Sequence, residues 1–123
     1  RDNRTTGIRV PISEPEARRV ENRIAGMDCN PYLGIAASLA CGLLGLQNEV
    51  RPRAQFKGDA YEGDLDFPNE LGAALDAFDA ATDLHALLHP EFARVYSIVK
   101  RAEYAEFLQV ISPWEREHLL LNV

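Results

Sequence analysis

The sequence predicts an α+β fold, a short antiparallel β-hairpin followed by about four helices. Three observations lead there. Two short strand-like stretches lie near the N-terminus with turn-forming residues between them. Helix-start signals then recur at Asn30-Pro31, His89-Pro90 and Ser112-Pro113. No further stretch of comparable strand quality follows.

The strands are expected over Thr5 to Pro11 and Arg18 to Ile24, linked by Ile12-Ser13-Glu14-Pro15-Glu16-Ala17. A ribbon of two short strands is marginal alone and needs a larger sheet or helices to cover it. The chain also opens on Arg1, directly in polar, strand-like sequence. Both features imply a piece of a longer polypeptide.

The first helix should run from Pro31 to about Gln47, with Asn30 as its cap. Leu33, Ile35, Ala36, Ala37, Leu39, Ala40, Cys41, Leu43, Leu44 and Leu46 leave it almost no polar face, which is the pattern of a helix buried on all sides. Gly34, Gly42 and Gly45 then suggest close approach of neighbouring backbone, and Cys41 a small buried thiol. Residues 48–68 are polar and rich in Gly, Pro and Asp, an extended loop. A second helix is expected from about Glu70 to Leu88, capped by Asn69, burying Leu71, Ala74, Leu75, Phe78 and Ala81. His89-Pro90 breaks the chain before a third helix, from Glu91 to about Val110, with apolar positions at Phe92, Val95, Tyr96, Val99, Tyr104, Phe107, Leu108 and Ile111. Ser112, Pro113 and Glu115 form a complete start signal for the fourth. The organisation is one unit over 1–123, with an arginine-rich hairpin over 1–28 and a helical part over 29–123.

An apolar content of 46% in 123 residues is enough to close one core. The net charge of −6 argues against a nucleic-acid or anionic-membrane partner. That average hides an asymmetry. Residues 1–23 hold six arginines against four acids, a local +2, so the other hundred residues carry −8. Cys29 and Cys41 form neither a metal-ligand spacing nor a disulfide framework, which fits a reduced, cytoplasmic setting. No apolar run reaches the roughly 20 residues needed to span a bilayer.

Chemistry concentrates in the hairpin. Side chains alternate across a strand, so Arg19, Glu21 and Arg23 share one face at a spacing of roughly 7 Å, and Arg4 and Arg9 could converge on it. Arginine's planar fork binds phosphate and carboxylate oxygens in pairs and keeps its charge. One carboxylate among such groups suits Mg²⁺, which takes few protein oxygens and shares the rest with substrate phosphates. Phosphoryl transfer uses that combination. The same spacing is equally that of a solvated strand face carrying cross-strand ion pairs of about 0.2–1 kcal/mol each.

Four ordered blocks add to this reading: Asn3-Arg4-Thr5, Gly7-Ile8-Arg9-Val10-Pro11, Ala17-Arg18-Arg19-Val20-Glu21-Asn22-Arg23 and Asn30-Pro31-Tyr32-Leu33. Their order and spacing resemble the C-terminal catalytic part of the glutamine synthetase family. The resemblance extends more loosely to Pro113-Trp114-Glu115-Arg116-Glu117. It implies that Arg4 stabilises the transferring γ-phosphoryl group, that Arg9 and Arg19 face the ATP phosphates, and that Glu21 binds the nucleotide-side metal. It also implies that Arg23 faces the glutamate substrate and its acyl phosphate. The implied reaction consumes ATP with Mg²⁺ (or Mn²⁺) and joins glutamate to ammonia or an amine through a γ-glutamyl phosphate. The implied assembly is a ring-shaped homo-oligomer whose sites are completed by a neighbour's N-terminal domain.

Members using ammonia usually carry an apolar residue where this chain has Asn22. The Glu-Asn-Arg form, with Asp28-Cys29-Asn30-Pro31, is more similar to the γ-glutamyl-polyamine ligase branch. The residues 1–123 alone are expected to be inactive, because one carboxylate cannot hold the metals or build the glutamate site. A non-catalytic helical module binding an anion or a protein, and a catalytically dead relative of the same family, are the alternatives.

Other residues have ordinary readings. His85 and His89 stand four apart, at a helix C-terminus where the dipole favours them over a metal pair. Trp114 and Tyr104 read as packing residues. Asp59, Glu62, Asp64 and Asp66 lack the placement of a calcium loop and read as a solvated run, while Lys57 to Asp66 could border an active site.

Overall fold

A computed structural model describes residues 3–63 and 67–121; Asp64 and Asp66 of the acidic run lie outside them. The chain forms two compact units, 1–66 and 67–123. The fold is α+β and mostly helical, as expected, with one two-stranded sheet and five α-helices among the described residues.

In the first unit, β1 (Ile8–Arg9) pairs antiparallel with β2 (Glu21–Asn22), placing Ile8 opposite Asn22 and Arg9 opposite Glu21. The Arg23 amide extends the ladder to the Gly7 carbonyl at 2.8 Å. The strands are much shorter than the expected stretches. Pro11 and Pro15 remove backbone donors from the linker, and Pro15–Ala17 winds into a turn of 3₁₀ helix instead.

Helix α1 spans Pro31–Gln47, the expected range. The Asn30 side chain accepts from the amides of Tyr32 and Leu33, and Pro31 occupies the first position, where no donor is needed. At the other end, Glu49 takes a left-handed conformation (φ 51°). It donates to the Leu46 carbonyl, and Val50 donates to the Gly45 carbonyl at 2.9 Å. This 6→1 and 5→2 pair closes the helix in the manner usually reserved for glycine.

The expectation that α1 is buried all round is not met within this chain. Only Ala40 is buried, while Tyr32, Ile35, Leu39, Leu43 and Leu46 are exposed. Cys41 is exposed too, contrary to the buried-thiol reading, and Cys29 with it; both are free. A Cβ added at Gly42 or Gly45 would meet open space, so neither glycine admits a neighbouring backbone here. The physical reason is the same in each case, since residues 1–123 supply too little protein to surround an apolar cylinder.

In the second unit, the expected helix over 70–88 is two helices, α2 (Leu71–Ala80) and α3 (Thr82–Leu88). Its cap position is Glu70 rather than Asn69. The break lies at Ala81, whose ψ of 63° is not helical. The Phe78 carbonyl left open there accepts from the Ala81 amide at 2.9 Å and from His85 Nε2 at 2.8 Å, and the His85 ring rests 4.8 Å from that of Phe78. His85 thus closes a helix end. His89 adopts φ 77° and ends α3, and Pro90 starts α4 (Pro90–Phe107), three residues shorter at its C-terminus than expected.

Helix α4 packs along α2 and α3. The face it buries is centred on Ala93 and Ser97, not on the larger Phe92, Val95 and Val99, which are exposed. Small residues at i and i+4 let the helix axes approach, and Leu75 of α2 fills the space between. A polar clasp seals the edge. Arg101 of α4 binds Asp76 at 2.7 Å and Asp79 at 2.6 Å, and Ser97 donates to Asp79. Helix α5 (Pro113–His118) carries the expected capping box between Ser112 and Glu115. Trp114 is exposed and stacks 4.8 Å from His118, so its packing role is local. No helix among the described residues is long and apolar enough to cross a membrane.

Two outcomes follow for the second unit. Ala93 is fully buried, so Ala93→Leu should destabilise the protein by about 1–3 kcal/mol through overpacking, seen as a lower melting temperature. The hydrogen bond from Ser97, then Arg101, holds the Asp79 carboxyl below its ordinary range. A depressed carboxyl stabilises the fold above its unfolded pKa, and that contribution disappears as pH falls through the folded value. The melting temperature of Asp79→Asn should therefore lose less than wild type between neutral pH and pH values below about 4. Parallel melting curves for the two proteins would contradict the assignment.

Candidate functional site

The candidate site is one face of the ribbon, and one carboxylate organises it. Arg9 and Glu21 are direct cross-strand partners, so their side chains leave the sheet on the same face. Arg9 Nε lies 2.8 Å and Nη2 2.6 Å from Glu21 Oε2. Two residues before Glu21 on the same strand path, Arg19 projects to the same side. Its Nε lies 3.1 Å and its Nη2 3.0 Å from Glu21 Oε1. Arg19 Nη1 also donates to the Ala17 carbonyl at 3.2 Å, so the 3₁₀ turn helps to aim it.

Each oxygen of Glu21 therefore accepts from a separate guanidinium. The Arg9 hydrogen bond is the main reason the Glu21 carboxyl lies below the usual glutamate range, and the charges of Arg9 and Arg19 act in the same direction. The two arginines differ in freedom. The Arg9 side chain is 14% exposed and Arg19 55%, so Arg9 is held and Arg19 can turn outwards.

Of the five residues singled out from the sequence, the structure brings together Arg9, Arg19 and Glu21. Arg4 and Arg23 do not join that cluster. Both are exposed, and neither makes an ion pair among the described residues. Arg4 sits at the apex of a turn. The Asn3 carbonyl oxygen of the side chain accepts from the Thr5 amide at 3.0 Å and the Thr5 hydroxyl at 2.7 Å. Asn3 Nδ2 donates to the Gly58 carbonyl at 3.0 Å, and the Thr5 hydroxyl accepts from the Ala60 amide at 2.9 Å. The loop expected to border the site is thus tied to the residues on either side of Arg4. Within it, Asp59 caps a short 3₁₀ turn (Ala60–Glu62) by accepting from the Tyr61 amide.

Asn22 takes a structural part. Its Nδ2 donates to Ser38 Oγ at 3.0 Å, and Ser38 in turn donates to the Gly34 carbonyl at 2.8 Å, joining the ribbon to α1. Sequence reasoning missed this tie, although Ser38 stands out as the one hydroxyl amid the aliphatic interior of that helix. It missed Asn3 and Thr5 for a different reason, because their partners are 55 residues away.

Among the described residues no group of three or more His, Cys, Asp or Glu side chains could hold a metal ion. Glu21 is the acid that the arginine cluster surrounds. It could give a hard cation an oxygen only where one of its guanidinium partners turns away, as the exposed Arg19 can.

Comparison with known proteins places the chain in a family. The sequence model described as glutamine synthetase, catalytic domain, matches residues 1–119. The chain is 36% identical over 118 residues to a glutamate–isopropylamine ligase of a Pseudomonas species, covering 93% of this chain and 26% of that protein. It is 37% identical over 122 residues to the gamma-glutamylputrescine synthetase of Escherichia coli, covering 98% and 26%. With a glutamine synthetase of Halobacterium salinarum it shares 33% identity over 127 residues, covering 96% and 28%. The chain spans about a quarter of the length of the curated relatives it matches. With the arginine-flanked carboxylate in place and 119 of its residues matched, the chain belongs to the glutamine synthetase catalytic-domain family.

Proposed function

We propose that this segment forms one wall of the active site of an ATP-dependent ligase joining the γ-carboxylate of glutamate to ammonia or an amine. The observation that carries the reading is the convergence of Arg9 and Arg19 on Glu21, a positive clamp built around a single carboxylate. In the first step a γ-carboxylate oxygen of glutamate attacks the γ-phosphorus of ATP, and ADP leaves. In the second the amine nitrogen attacks the acyl carbon, phosphate leaves, and the nitrogen gives up a proton.

Each residue has a part in that scheme. Arg9, the more buried arginine, presents a fixed charge to the phosphates. Arg19 exchanges Glu21 for phosphate oxygens, since its exposed fork is free to pivot. The release of Oε1 leaves Glu21 able to ligate Mg²⁺ (or Mn²⁺), which would neutralise charge on the phosphate chain. Arg4, exposed and without an ion pair among the described residues, stabilises the equatorial oxygens of the transferring phosphoryl group. Arg23 meets the carboxylate or acyl phosphate of the glutamate substrate.

The relatives are named for isopropylamine, putrescine, ethanolamide and glutamine at 32–37% identity, a spread too narrow to choose an acceptor by similarity. Asn22 favours the amine branch over ammonia by motif. Its hydrogen bond to Ser38 gives the residue a packing reason that is independent of substrate, so the lean towards a larger amine is slight. An amine panel read by phosphate release decides between them.

Three expected outcomes test the reading. Purified residues 1–123 should release no phosphate from ATP in the presence of Mg²⁺, glutamate and amines; steady turnover would sink the proposal that the site is completed elsewhere. In the full-length polypeptide, Arg4→Lys should lower kcat on the order of 100-fold with little change in KM, because only transition-state contacts are lost. Glu21→Ala should reduce turnover by a similar factor and raise the Mg²⁺ concentration needed for half-maximal rate. Full-length protein that binds ATP but shows no turnover with any amine would instead identify a catalytically dead relative. Loss of anion binding in Arg19→Ala/Arg23→Ala, without ATP dependence, would identify a binding module.

A further inference from the structure

The turn that presents Arg4 is held from a distant part of the chain. Arg4 makes no ion pair among the described residues that would fix it, yet both of its flanks are anchored to one short piece of the 48–68 loop. On one side Asn3 Nδ2 donates to the Gly58 carbonyl at 3.0 Å. On the other the Ala60 amide donates to the Thr5 hydroxyl at 2.9 Å. The two anchors are themselves joined, because the Thr5 hydroxyl donates to Asn3 Oδ1 at 2.7 Å and the Thr5 amide to the same oxygen at 3.0 Å. Every donor and acceptor in this ring has one orientation, so the tie cannot be reversed without losing a bond. Gly58 holds φ +107°, a conformation side chains rarely adopt, and this turns its carbonyl towards Asn3. Thr6 Oγ1 adds a longer contact of 3.4 Å to the Asn3 carbonyl.

We infer that residues 58–60 act as a remote clasp that positions Arg4, with Asn3 and Thr5 as its positioning residues. The inference rests on the proposed role of Arg4 at the transferring phosphoryl group. An arginine that meets charge only in the transition state gains nothing from a flexible base, since a displacement of about 1 Å can cost up to about 100-fold in rate. A turn clamped on both flanks removes that displacement before substrate arrives. The loop thereby contributes to catalysis without touching substrate.

The test is made in the full-length polypeptide, by phosphate release with ATP, Mg²⁺, glutamate and amine. Thr5→Val keeps the shape and removes the hydroxyl; it should lower kcat about tenfold while KM for ATP moves less than about twofold. Thr5→Ser should restore the rate. Asn3→Asp keeps the acceptor for Thr5 and replaces the donor to Gly58 by a charged oxygen, and should lower kcat in the same direction, which keeps the test open if Thr5→Val folds poorly. In an Arg4→Lys background, Thr5→Val should add no further loss beyond about twofold. A full tenfold loss on top of Arg4→Lys would show general structural damage and overturn the clasp. Wild-type kcat in Thr5→Val and Asn3→Asp, with Arg4→Lys impaired, would overturn the clasp and leave the Arg4 assignment standing. A wild-type rate in Arg4→Lys itself would remove the Arg4 assignment, and the clasp with it.

Discussion

Two guanidinium groups brought together on a two-stranded ribbon repel unless a negative charge stands between them. Glu21 supplies it, and the local structure is arranged around that need. The register sets Arg9 directly across from Glu21, the strand pleat returns Arg19 to the same face, and the Pro15–Ala17 turn offers Arg19 a carbonyl. At about 4 Å two like charges near a protein surface repel by several kcal/mol at an effective dielectric constant of about 20. A shared carboxylate turns that repulsion into a stable arrangement. In the proposed reaction the same arrangement would act as preorganisation, with its worth to be sought in turnover more than in stability.

The same residues satisfy both readings that spacing allowed. Cross-strand ion pairing is what the geometry contains, and it is also how a phosphate clamp would rest between substrates. One arginine is mostly covered and the other stands largely in solvent. The family match over residues 1–119 is to a catalytic domain.

Local signals in the sequence were legible where the backbone decides the outcome. Asn30-Pro31 and Ser112-Pro113 start their helices because a side-chain acceptor and a donor-free residue answer the open amides. Legibility failed where tertiary contacts decide. Nothing local announces the break at Ala81, which depends on His85 reaching back to the Phe78 carbonyl. The buried face of α4 could not be read from its large apolar residues, because close helix approach selected Ala93 and Ser97 instead. At the site, period-two alternation was enough to group Arg19 with Glu21, but the convergence expected of Arg4 and Arg23 on that face is not found. The anchoring of Arg4 was invisible, since hydrogen bonds spanning 55 residues leave no trace in spacing.

Helix α1 shows what it means for a segment to be stable in shape yet not in water. Its ends are well closed by Asn30 and by the turn at Glu49, so the helix can persist as a helix. Its side, however, carries Tyr32, Ile35, Leu39, Leu43 and Leu46 in a single file along about 21 Å of axis. Such a rod is a hydration liability during biosynthesis. Exposed in this chain, it is a preformed apolar handle, and salting-out anions should promote its clustering more than its unfolding. Loss of soluble protein would then precede any loss of secondary structure.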